Sequence, residues 1–170
     1  MILLLDYISA IPISFSLVLI YDFLINYNIK NLVFLIWMFI LSILVTYLKH
    51  INYPNWFLSY IRRPKGACNT DLLSKNGKCK NLNTGFPSGH MALTAFFASY
   101  IIVRAIYYNE NYIQIRNKII VFTILLVLMG LSRYYKNVHT IFQIISGFLL
   151  GIVFALLTFH INKKIDKNVI

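Results

Sequence analysis

The sequence predicts an all-α bundle embedded in a membrane, with about five transmembrane helices (six is the alternative) and a short interfacial helix. Three observations predict it. The chain is 59% hydrophobic and only 12% charged, whereas a water-soluble domain carries about 25% charged residues. Its mean hydropathy is +0.69. Its apolar residues gather into runs close to the roughly 20 residues that cross a hydrocarbon core. With 170 residues and no linker-like stretch, the chain reads as a single domain over 1–170.

The runs fall near 4–26, 31–49, 89–108, 117–133 and 140–160. The first lacks the basic n-region of a cleaved signal, so it is expected to remain as a span, although Asp6, Pro12 and Asp22 blur its edges. The second, "NLVFLIWMFILSILVTYLK", is clean. The segment "INYPNWFLSYIRRP" (51–64) is aromatic and apolar but short. It is expected to lie along the interface or re-enter the bilayer. The six-span alternative would have it cross with help from residues before Pro54.

Charge sets the expected orientation. Lys and Arg favour the cytoplasmic side of a span. With five spans, the basic tail "HINKKIDKNVI", Lys30 and the Arg104/Arg116/Lys118 connection fall on one side. The C-terminus is therefore expected to be cytoplasmic. The long 62–88 loop and the 134–139 turn then face the lumen or the exterior.

That loop carries Arg62, Arg63, Lys65, Lys75, Lys78 and Lys80 against Asp71 alone. Cations on the unfavoured side suit phosphate binding; an ordinary solvated loop is the other reading. Cys68 and Cys79 lie in the same loop. In an oxidising space they would form a disulfide, and elsewhere they remain two thiols. Two cysteines do not make a metal site, which wants about four ligands. The sequence has no Asp/Glu cluster to hold one either, so no metal or cofactor is expected.

The formal net charge is +11. On a soluble domain such an excess suggests nucleic acid. Here no basic stripe with interleaved aromatics stands on a polar face, so nucleic acid is not expected. A phosphate-bearing lipid is the better partner, besides the membrane lipids themselves.

Ionisable groups at membrane depth are costly and usually functional. Three polar islands stand out: Arg62-Arg63-Pro64, Pro87-Ser88-Gly89-His90, and Ser132-Arg133 with His139. One loop joins the first two, and two spans return the chain to the same face for the third, so all three can converge. Their chemistry is coherent. Ser88 suits a helix N-cap, and Gly89 lets backbone approach a ligand. Helix N-terminal amides favour an anion. Arg63 and Arg133 can each grip phosphate oxygens as a fork. Of two histidines, one can attack phosphorus and the other protonate the leaving oxygen.

These residues resemble the type 2 phosphatidic acid phosphatase superfamily, the membrane lipid phosphate phosphatases. Its pattern is Lys-x6-Arg-Pro, then Pro-Ser-Gly-His, then Ser-Arg-x5-His-x3-Asp. The second motif is complete at Pro87, Ser88, Gly89 and His90, and the third is present at Ser132, Arg133 and His139. The likeness covers about 49–151. It implies a helical membrane phosphatase needing no metal, with its site at the membrane face. It implies that His139 is the nucleophile forming a phosphohistidine and His90 the general acid. Arg63, Ser88, Gly89 and Arg133 would hold the phosphate.

Two positions depart from that pattern. Trp56 stands where the first motif has its Lys, leaving Lys49 and Lys65 as candidate replacements. Gln143 stands where the third motif has Asp. As an i,i+4 neighbour on a helix, Gln143 can accept from the His139 imidazole and fix its tautomer. The stretch "HTIFQ" looks most similar to the dolichyl-diphosphate phosphatase branch, which implies a polyisoprenyl diphosphate substrate. Phosphatidate or a lysolipid phosphate is the runner-up, and phosphate transfer to another acceptor is a third outcome. The reading from a different class is a non-catalytic membrane protein that binds anionic headgroups. Phosphate release in excess chelator separates the two classes.

Overall fold

The structure is a computed structural model, and it describes residues 2–26, 29–65, 67 and 84–168. Six helices follow one another: α1 (Ile2–Asn26), α2 (Ile29–His50), α3 (Asn55–Ile61), α4 (Gly89–Tyr107), α5 (Tyr112–Tyr135) and α6 (Ile141–Asn168). No strand occurs among the described residues. An antiparallel bridge between Arg62 and Thr84 pins together the two ends of the long loop. Cys68 and Cys79, with the lysines at 75, 78 and 80, lie outside the described residues.

Among those residues, α2, α4, α5 and α6 (as Ile141–Ile165) are each long and apolar enough to cross a membrane. The helix expected over 4–26 is also present, and its described apolar run is Ala10–Asn26. The interfacial segment contains only the seven residues of α3. At 1.5 Å per residue that is about 10 Å, a third of a hydrocarbon core.

Helix ends differ from the hydropathy runs for physical reasons. α5 starts before Arg116 because Asn111 caps it, its side chain accepting from the Ile113 amide at 3.1 Å. α6 continues beyond 160 through Asn162, Lys163 and Lys164. A hydropathy run stops at polar residues, whereas a helix stops where its backbone bonds do.

Apolar side chains are turned outward along the long helices. Leu17, Phe39, Val121 and Leu149 are each more than half exposed. A soluble protein rarely leaves such continuous apolar surface uncovered; in a bilayer it meets lipid tails.

The centre of the bundle is α4, which packs mainly on α6 and then on α5 and α2. Phe34, Leu41 and Val45 of α2 meet Ala92, Phe96 and Tyr100 of α4 and Phe154 of α6. The α4–α6 contact is a close one, built on small residues. A Cβ on Gly147 would collide with the Ser88 carbonyl oxygen, and one on Gly151 with that of Ala92. Small residues four apart let two membrane helices approach backbone to backbone. Here they set the first turn of α4 directly against the second and third turns of α6.

Candidate active site

The three polar islands meet at one end of the bundle, where α3 ends, α4 begins and the α5–α6 turn returns. Each is held by local chemistry that its residue types explain. The α5–α6 turn is a Schellman motif. The Asn137 amide donates to Tyr134 O at 2.8 Å and the Val138 amide to Arg133 O at 3.3 Å. Asn137 sits at φ 54°, a left-handed conformation that Asn tolerates better than most residues. Arg133 thus occupies the last turn of α5, and His139 emerges one turn-width later. Arg133 is 1% exposed and His139 2%.

Next comes a capping box. Thr140 precedes α6 and Gln143 is its third residue. The Gln143 amide donates to Thr140 Oγ1 at 3.4 Å, and the Thr140 amide to Gln143 Oε1 at 3.2 Å. This reciprocal pair is the usual way that a Thr-x-x-Gln sequence starts a helix.

Gln143 does more than cap. Its Nε2 donates to the carbonyl oxygens of Ile61 at 2.8 Å and Arg62 at 2.9 Å. Those carbonyls only accept, so the amide can face only one way. Its Oε1 then lies 3.0 Å from His139 Nδ1. An oxygen there requires a proton on Nδ1, which leaves Nε2 of His139 with a free lone pair. The Gln143 backbone carbonyl also accepts from the Ser88 amide at 3.0 Å. One fully buried residue, through its side chain and its backbone carbonyl, therefore ties the first, second and third islands together.

The first island is fixed from a second direction. The Gly85 amide donates to Ile61 O at 2.9 Å, and Arg63 Nε to Thr84 O at 3.5 Å. Gly85 is a close approach: a Cβ there would strike Gln143 Oε1. Phe57, Phe86 and Phe142 pack over this corner, the last two stacked at 5.6 Å.

Ser88 takes the N-cap position with extended backbone, but its side chain makes no cap hydrogen bond. Ser88 thus holds the N-cap position that the sequence suggests, without the side-chain bond that often accompanies it. Its Oγ is buried and has no hydrogen-bond partner among the described residues. A buried hydroxyl left so costs about 1–3 kcal/mol, and such groups call for a functional reason. The amides of Gly89, His90 and Met91 open the helix and have no intrahelical acceptor. Hydroxyl and amides together present hydrogen-bond donors of the kind that suit an anion.

Cations surround it. The charges of Arg133, Arg63 and Lys49 act on both His90 and His139, and that of Lys136 acts on His90. Burial first, then Arg133 and Arg63, hold the His139 imidazole well below the ordinary histidine value, with the Gln143 bond opposing them. Lys49, in the last turn of α2, brings its Nζ to 3.6 Å from where a Gly89 Cβ would stand. Lys65 is exposed and is not among the charges acting on either imidazole. Of the two candidate replacements for the missing lysine, the structure brings Lys49 to the site and leaves Lys65 on the surface.

Of the candidate residues, Arg63, Ser88, Gly89, His90, Arg133, His139, Gln143 and Lys49 come together. Lys136, Thr84 and Thr140 were missed. The Thr-x-x-Gln signature was a readable signal for Thr140. Lys136 and Thr84 had none, because they matter only once the turn and the loop are closed.

Comparison with known proteins bears on this arrangement. A family model described as the PAP2 superfamily matches residues 31–167. The fold is similar to that of a transmembrane PAP2 type phosphatidylglycerolphosphate phosphatase from Bacillus subtilis, with a TM-score of 0.69. That match covers 96% of this chain and 77% of the other, at 20% sequence identity. No curated protein matches the chain.

Proposed function

Since the chain belongs to the PAP2 superfamily, we propose that it is a multi-pass membrane phosphatase that hydrolyses a lipid phosphate or diphosphate through a phosphohistidine on His139. The family and the fold neighbour support a lipid phosphatase. The observation that carries the mechanism is the Gln143 amide, whose orientation leaves the His139 Nε2 lone pair free.

The phosphate, with about −1.5 to −2 charge at neutral pH, enters the ring of Arg63, Arg133 and Lys49. Ser88 Oγ and the first amides of α4 bind its oxygens. His139 Nε2 attacks phosphorus, a P–N bond forms, and the P–O bond on the opposite side breaks. His90 gives its proton to the departing oxygen. Water then attacks the phosphohistidine, the P–N bond breaks, and the proton from water returns to His90. The equatorial charge that develops in both steps faces guanidinium groups and amides already in place. No step calls on a metal. A water molecule or an alcohol can resolve the intermediate, so phosphate transfer to another acceptor is the same chemistry.

The favoured substrate is a polyisoprenyl diphosphate, from the likeness of "HTIFQ" to the dolichyl-diphosphate branch. The second reading, phosphatidate or a related two-chain lipid phosphate, is favoured by the fold neighbour, whose name includes phosphatidylglycerolphosphate. In the five-span arrangement the site lies on the lumenal or extracytoplasmic face and the C-terminus in the cytoplasm. Detergent-purified protein should release phosphate in excess chelator, and His139→Ala should lose this by about 10³-fold or more. A wild type inert on a broad lipid-phosphate panel would leave the headgroup-binding reading instead.

A further inference from the structure

A cavity of about 210 Å³ opens between α1, α2 and α4. Lys49, Gly89 and His90 line its end at the site. One to two turns further along, its wall is Ser42, Val45 and Thr46 of α2, Leu93 of α4 and Pro12 of α1. We propose that this groove receives the hydrocarbon chain of the leaving group, and that it selects a phosphate carried on a single chain over one carried on a two-chain glycerolipid. The inference rests on the phosphatase reading above and deepens it.

Three features argue for that occupant. The first is direction. In-line displacement sends the leaving group away from the attacking nitrogen, and the described lining includes the acid His90 but not His139. A chain departing past His90 enters this groove.

The second is chemistry along its length. The Ser42 hydroxyl donates to Met38 O at 2.9 Å, and the Thr46 hydroxyl to Ser42 O at 2.9 Å. Their protons are spent within α2, so the wall offers a ligand little beyond apolar contact. The polar end offers the Lys49 ammonium, which suits the second phosphate of a diphosphate. Charge at the mouth and apolar surface beyond it match a lipid with an anionic head and an oily tail.

The third is size. Sites that engulf a whole drug-sized ligand measure about 300–1,000 Å³. This groove is smaller, and it suits one slender chain near its headgroup. Two acyl chains diverging from a glycerol would need the walls to part.

The test compares a prenyl diphosphate, a diacylglycerol phosphate and p-nitrophenyl phosphate, the last having no chain. Thr46 is exposed on α2, so Thr46→Trp can narrow the groove without disturbing the core. The expected result is a fall of about tenfold or more in the ratio of kcat/KM for the prenyl diphosphate over p-nitrophenyl phosphate. Leu93→Ala widens the groove and should raise the ratio for the diacylglycerol phosphate over the prenyl diphosphate. An active wild type whose ratios stay unmoved in both variants overturns the groove and leaves the phosphatase standing. A wild type inert on all three substrates overturns both.

Discussion

Both ends of the bundle are cationic, yet the two use charge differently. At the end away from the histidines, Lys163 lies 4.6 Å from the centre of the Tyr107 ring, and Lys30 5.6 Å from that of Tyr108. Arg104 approaches the same Tyr108 ring at 6.0 Å, and Lys118 pairs with Glu110. These side chains are half-buried or exposed. Contacts of that kind contribute about 0.5–1 kcal/mol each. At the other end Arg133 is 1% exposed and acts on the imidazoles of buried His139 and half-buried His90. Removing a charge from water costs several kcal/mol even after relaxation. A net charge of +11 therefore locates nothing by itself. Burial of the cation beside proton carriers and a vacant hydroxyl marks the site.

The sharpest way to break this comparison is Arg133→Lys. An ammonium keeps the charge but loses the fork. Phosphate release should fall about 10²-fold or more; full retention would mean that burial of this guanidinium serves packing. Next is Gln143→Glu. The carboxylate still accepts from Thr140 and His139 but strands the Ile61 and Arg62 carbonyls and repels them. Thermal unfolding should show a loss of about 1–3 kcal/mol, together with lower kcat. Unchanged stability would mean that Gln143 does not tie the first island to the third.

Ser88→Ala separates function from stability. It removes a hydroxyl that has no partner among the described residues, so the unliganded protein should be as stable or more so, while KM for a lipid phosphate rises. Loss of stability would show that the hydroxyl is satisfied in the resting protein. The acid limb of the pH profile is a gentler test. His139 in the folded protein binds its proton only well below the ordinary value of 6.5. The unfolded chain takes up that proton first as pH falls, so this group favours folding above pH 6.5 and loses that contribution as pH drops through its folded value. The His139 limb of kcat/KM should accordingly lie below 6.5. The smallest effect belongs to the opposite end: Arg104→Gln and Lys163→Gln should each change activity by no more than about twofold, in line with exposed substitutions.

Much of this was legible in the linear sequence, because the candidate site is made of residue types that a hydrocarbon environment excludes elsewhere. Arg63, His90, Arg133 and His139 stood out against apolar runs. The long helices announced themselves by hydropathy, and the seven residues of α3 by Pro54 and their shortness. What stayed hidden depended on closure. Which of Lys49 and Lys65 stands near the two imidazoles could not be read before the chain closed, because Lys49 comes from α2 and the motif position, Trp56, lies on α3. The sequence showed that Gln143 could accept from His139, but not that its Nε2 donors hold two carbonyls that a carboxylate would repel. Nothing in the sequence marks Gly147 and Gly151, whose role follows only from the α4 backbone lying on them.

Alkaline quenching during turnover on a lipid phosphate, followed by mass spectrometry of the peptides, asks most directly where the phosphoryl group goes. Phosphate on His139, absent when that residue is alanine, is the predicted outcome. Phosphate on His90 instead, or steady turnover with no phosphoenzyme at any quench time, would contradict it.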